Sequence, residues 1–166
     1  MPLITLPTVA GDTIDLGGPS DQLRLIIVYR GVTDVYKSRQ AGWGQYLPRL
    51  ARENIALYLI SGDTRDDAAV FADDLGFDCP IGYDLTFTAM RDLGLYVFEP
   101  IDRFAEREYA GARPIAEPAL FLLDTTGNAH ILSISNSPFV RPEPWQVVEG
   151  LLMINNRDYP VGGTLT

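Results

Sequence analysis

Thiols are almost absent from this chain of 166 residues: Cys79 is its single cysteine. One cysteine excludes an internal disulfide and any Cys-x-x-Cys redox centre. Histidine is as scarce, with His130 alone. Zinc takes about four N, S or O ligands at short spacings, so no metal site is expected, and no EF-hand spacing of carboxylates occurs. Basic charge is in deficit, 13 Lys and Arg against 22 Asp and Glu, a formal net charge of -9. That balance argues against nucleic acid and anionic membrane surfaces as partners, since both are bound through a basic surface. No apolar run approaches the length of a membrane span, and Met1-Pro2-Leu3 does not begin a basic leader followed by an apolar core. A cytoplasmic address is the expectation. With 46% hydrophobic and 21% charged residues, the composition is that of one globular domain with a sizeable core.

The chain is organised around Leu23 to Tyr29, a continuous run of Leu, Ile, Val and Tyr interrupted only by Arg24. Such a run reads as a strand covered on both faces. Arg30-Gly31 breaks it, and helical spacing resumes near Ser38. A loop between a central strand and a helix start lies at the carboxyl end of the sheet, where open α/β folds place their chemistry. Before this unit, Leu3–Leu6 and Thr13–Leu16 flank Pro7 and Gly11-Asp12 and read as an N-terminal hairpin over about 3–16. After it, residues from about 38 to 53 show an apolar helix face, with Pro48 expected to kink it. Ile55 to Ser61 is a second apolar strand. Asp63 to Asp67 opens a helix with acidic residues in its first turn, Ala68, Ala69, Phe71, Ala72 and Leu75 form its buried face, and Gly76 stops it. Two parallel strands with a helical crossover make a βαβ unit.

Asp78 to Asp84 reads as a short extended segment, Thr86 to Leu93 as a short helix ending at Gly94, and Pro100 to Tyr109 as a further helix. Ala119 to Asp124 is the third apolar strand. The turn Thr125-Thr126-Gly127-Asn128 joins it to a partly exposed antiparallel strand, Ala129 to Ile134. A terminal helix over Trp145 to Asn155 buries Val147, Val148, Leu151 and Leu152, and a tail over about 156–166 follows.

Val28-Tyr29-Arg30-Gly31, four residues and a helix, resembles the active-site segment of the peroxiredoxin-like (AhpC/TSA, or redoxin) branch of the thioredoxin superfamily, in which a strand runs into Arg-Gly-x-x-Cys-Pro-x-Cys. Gly94-Leu95-Tyr96, Glu117-Pro118-Ala119-Leu120-Phe121-Leu122-Leu123-Asp124, Pro138-Phe139-Val140-Arg141-Pro142 and Asp158-Tyr159-Pro160 also resemble features of that branch. The resemblance implies a single thioredoxin-like α/β domain over 1–166, with a mixed central sheet and helices on both faces. It also implies a cis bond at Glu117-Pro118, an antioxidant oxidoreductase ancestry and, as is common among such proteins, pairing into a homodimer. Laid on the motif, Arg30 and Gly31 match, but Asp34 stands at the nucleophile position, Val35 at the proline and Lys37 at the second cysteine. Pro118 stands where the family carries an arginine.

A carboxylate is a weak nucleophile towards peroxide and cannot enter the reversible sulfenic cycle. The leading expectation is therefore a pseudo-enzyme, a redoxin-like module that binds a small anionic or polar ligand or a partner, with no cofactor. Its candidate ligand-binding residues are Arg30, Thr33, Asp34, Tyr36, Lys37 and Pro118. Plainer roles stand beside these: Asp34 as a helix cap worth about 1 kcal/mol, Arg30 in a salt bridge, Lys37 as a solvated side chain. The alternative is a thiol-dependent peroxidase or reductase using Cys79. Against it, no basic residue occurs in the ten positions before Cys79, and lone cysteines are usually small buried hydrophobes. His130 reads as a surface or interface residue, and Trp43 and Trp145 as packing or interface residues.

Overall fold

The computed structural model describes residues 1–31, 40–98, 113–157 and 159–160. Thr33, Asp34, Tyr36 and Lys37, the helix expected over Pro100 to Tyr109, and most of the tail lie outside the described residues.

Three uninterrupted apolar runs build the centre. Strands β3 (Leu23–Val28), β4 (Ile55–Ile60) and β8 (Ala119–Leu123) lie side by side, β3 parallel to β4 and antiparallel to β8. Short β5 (Ile81–Gly82) extends the sheet beyond β4, and β9 (Ala129–Ile134) closes the other side, giving the order β5-β4-β3-β8-β9. The mixed sheet is the expected one. An antiparallel hairpin, β1 (Ile4–Pro7) with β2 (Thr13–Leu16), and a small ladder of β6 (Val97–Phe98) with β7 (Ile115–Ala116) complete the β structure.

Alternation along β3 decides what each face holds. Leu25, Ile27 and Tyr29 point to a layer made by three helices: α1 (Leu47–Arg52), α2 (Arg65–Leu75) and α4 (Pro144–Arg157). Tyr29 stacks on Phe71 of α2 with ring centroids 4.2 Å apart. Ile26 and Val28 point the other way, into a layer of hairpin residues Leu6, Ile14 and Leu16 and the short helix α3 (Phe87–Asp92). Helices therefore cover both faces. None of the described helices is long and apolar enough to cross a membrane.

Helix α2 begins and ends where its sequence dictates. The Thr64 hydroxyl accepts from the Asp67 N–H at its start, and Gly76 takes a left-handed φ of 78° at its end. Two expectations are corrected. Pro48 does not kink a long helix; a 3-10 turn over Gly44–Tyr46 precedes α1, and Pro48 sits in the first turn of α1, where its missing N–H costs nothing. The Glu117-Pro118 bond is not cis, since no described peptide bond is. The segment is extended instead: the Glu117 N–H donates to the Tyr96 carbonyl, and the Pro118 carbonyl accepts from Ser135. A residue before proline favours that backbone, and the two bonds feed it straight into β8.

Candidate functional site

Beyond Val28 the β3 backbone keeps its partner for one more residue, the Tyr29 N–H donating to the Ile60 carbonyl. Gly31 then turns the chain at a φ of 99°. A side chain on residue 31 would collide with the Asp63 carboxylate, so Asp63, just past the end of β4, stands against this turn. Antiparallel β8 brings its amino end to the same place. There Glu117 lies 3.6 Å from the Arg30 guanidinium, with side-chain exposures of 8% and 12%. The guanidinium carbon also sits 5.4 Å from the centre of the Phe98 ring. Arg30 thus has the salt bridge that its plainer reading anticipates, plus a cation–π contact.

Among the described residues, the mouth of the sheet holds one guanidinium, two carboxylates, an aromatic wall and Pro118 at the start of β8. Sequence reading names Arg30 and Pro118 but misses Asp63 and Glu117 as members. Their common signal is position: Asp63 comes three residues after an apolar strand and Glu117 two residues before one, and the strand order gathers both beside Arg30.

Cys79 is elsewhere. It precedes β5, two residues before Ile81, which pairs with Leu59 and so lies level with Ile27 of β3. Cys79 is therefore level with Leu25, five residues short of Arg30 and two strands away. At about 3.3 Å per residue and about 4.8 Å per strand, the separation is roughly 19 Å. The half-buried thiol packs against the helical layer beside β3. Burial, reinforced by the negative charge of Asp78, pushes its pKa up to about 12. A thiol so placed stays protonated at neutral pH, the reverse of what a redox nucleophile needs.

The remaining singled-out residues are scattered. His130 lies half-buried on β9, with a shielded Nε2 that makes no hydrogen bond to the described residues. Trp43 is buried in the helical layer, as the packing reading holds, whereas Trp145 is exposed on α4. No cluster of three His, Cys, Asp or Glu suited to a metal occurs among the described residues.

Solved structures superpose on nearly the whole of this architecture. A peroxiredoxin-like protein from Aquifex aeolicus superposes with a TM-score of 0.69 at 16% identity, over 92% of this chain and 84% of that one. Peroxidoxin BcpB from Mycobacterium tuberculosis gives 0.69 at 16%, over 96% and 95%. The mitochondrial 2-Cys peroxiredoxin of Plasmodium falciparum gives 0.69 at 13%, again over 96% and 95%. The fold is that of the peroxiredoxins. No protein-family model matches the sequence, and no curated protein matches it either. The likeness therefore shows the thioredoxin-type architecture, shared across nearly the whole chain, and not an activity.

Proposed function

We propose that this chain is a peroxiredoxin-fold protein that performs no thiol peroxidase chemistry and binds a small polar ligand or a partner at the mouth beside Arg30. The observation that carries the reading is the roughly 19 Å separation between the mouth and the only thiol, derived above from strand spacing. Peroxide cleavage on this fold requires a thiolate where the loop after β3 meets its helix, beside a positive charge that lowers its pKa. Here Arg30 is engaged with Glu117 and the ring of Phe98, and the motif alignment assigns the nucleophile position to Asp34.

The test is peroxide turnover with hydrogen peroxide or an organic hydroperoxide and dithiothreitol as reductant. The purified protein should consume peroxide no faster than the reductant alone, and Cys79→Ser should leave that baseline unchanged. Turnover abolished by Cys79→Ser would overturn the reading in favour of a Cys79 enzyme. Asp34→Cys is the complementary variant. A reactive thiol at that position would support descent from a thiol site, and an inert one would argue that the mouth has been rebuilt.

A further inference from the structure

Strand β9 ends the five-stranded sheet, and the side of it away from β8 has no neighbour among the described strands. The Ser135 N–H donates to the Pro118 carbonyl at 3.0 Å, which fixes the phase of the ladder. Ser133 and Ile131, opposite Leu120 and Leu122, turn their backbone groups to β8 as Ser135 does, so Leu132 and Ile134 turn theirs outward. None of these four outward N–H and C=O groups hydrogen-bonds to a described residue. The pairing irregularity lies between Leu122 and Leu123, clear of this stretch. Edge strands are ordinarily blunted by lysine, proline, a bulge or a covering element. Ala129–Ile134 carries neither lysine nor proline, and it exposes Leu132 at 58%.

A groove of about 660 Å³, open to solvent, takes in the end of this edge from Ser133 to Asn136. Tyr96 lines it beside Leu95 of the α3 layer, and Gln146 lines it beside Val147 of the helical layer, so the groove has a wall on each face of the sheet. Val140 and Pro142 complete the second wall. Repeated main-chain donors and acceptors beside a two-walled groove are matched by another main chain in extended form. We infer that the edge of β9 takes up an extended peptide segment of a partner protein, paired with Leu132 and Ile134, its alternate side chains against Tyr96 on one face and Val140 and Pro142 on the other. The side chains it presents there are uncharged and apolar. Arg141 is the one charged residue of the groove, and its Nε donates to the Pro138 carbonyl. The net charge of -9 draws basic flanks to the segment and repels acidic ones. A second copy of this chain fits less well, because its own β9 would bring the same two walls against these. The inference uses neither Arg30 nor Cys79, so it stands or falls apart from the peroxide assay.

The probe is the peptide acetyl-Lys-Val-Thr-Val-Thr-Val-Lys-amide, titrated into the full chain and followed by amide hydrogen exchange. In the protein alone, the Leu132 and Ile134 amides should exchange faster than those of Ile131 and Ser133, and at saturation they should slow by about tenfold or more. The same peptide N-methylated at its five central residues keeps its side chains, loses its donors and should bind about tenfold or more weakly. Val140→Asp alters a side chain that is 70% exposed, so the fold should tolerate it, and it should weaken the parent peptide by about fivefold. Glutamates in place of the two lysines should weaken binding by about threefold at low salt. No saturable binding up to about 1 mM, equal affinity of the N-methylated peptide, unchanged affinity in Val140→Asp, or equal or tighter binding of the glutamate-flanked peptide would overturn the inference. So would slow exchange at Leu132 and Ile134 without peptide that deepens with protein concentration, since a second copy would then occupy the edge.

Discussion

The mouth beside Arg30 and the neighbourhood of Cys79 lie on one sheet but offer opposite environments to a negative charge. At the mouth a guanidinium is buried against a carboxylate and an aromatic ring. At Cys79 burial opposes ionisation, and the negative charge of Asp78 adds to that opposition. The architecture thus places a guanidinium at the mouth, while the thiol sits beside a carboxylate.

The comparison breaks most visibly at Glu117. Leaving one member of a buried ion pair alone costs 3–5 kcal/mol in general. Glu117→Ala should cost about 3 kcal/mol, at the low end because the guanidinium keeps its contact with Phe98. Glu117→Gln, which retains size and hydrogen-bonding capacity, should lose less than half as much by urea unfolding. Equal losses would mean that packing, not charge, holds this corner.

Thiol reactivity sharpens the other side. A pKa of about 12 leaves on the order of 10³-fold less thiolate at pH 8 than an ordinary cysteine has. The greater intrinsic nucleophilicity of a high-pKa thiolate recovers part of that deficit. Cys79 should therefore react with a disulfide reagent about 50-fold more slowly than free cysteine in the native protein, and normally in urea. Native reactivity equal to that in urea would show an open, activated thiol and remove the contrast.

Gly31 and Gly76 separate backbone strain from crowding. Both have positive φ, but only the Gly31 position is crowded by a side chain, that of Asp63. Gly76→Ala should cost about 1 kcal/mol, the penalty of a left-handed backbone, and Gly31→Ala about 2 kcal/mol. In an Asp63→Ala background the two should become alike. If they differ as before, Asp63 does not define the turn.

The central strands were legible because β3, β4 and β8 are unbroken apolar runs, and only a doubly covered sheet has use for such runs. Helix α2 was legible because acidic residues open it and Gly76 stops it around a buried face with helical spacing, whereas the Thr64 cap emerged only from the structure. The mouth was only half legible. Arg30 announces itself by following a strand, but its contact with Glu117 depends on β8 lying antiparallel beside β3, which no local pattern encodes. Pro118 misled for the same reason. Its backbone is set by bonds to Tyr96 and Ser135 that arrive from other elements.

The smallest effect concerns what an anion needs, and it comes from the turn after β8. Partial burial of Asp124 works to raise its pKa. Hydrogen bonds from the Thr126 hydroxyl and from the backbone N–H groups of Asn128, Thr126 and Gly127 outweigh that and hold the carboxyl below its ordinary value of 3.8. Two of these donors, the Thr126 and Asn128 N–H groups, lie 2.9 Å from the same carboxylate oxygen. Because the folded pKa is the lower one, the unfolded chain takes up the proton first. The stabilisation is complete above the ordinary carboxylate range and is lost as pH falls through the folded value. Asp124→Asn should therefore unfold at lower urea than the parent at pH 7, and the gap should close on acidification below about pH 4. Cys79→Ala, measured alongside, should show no such closure, since its thiol is protonated throughout that range. A gap at Asp124 that persists unchanged at low pH would mean that the turn is held by shape alone. The contrast between a solvated anion ringed by donors and a buried thiol facing Asp78 would then lose its electrostatic basis.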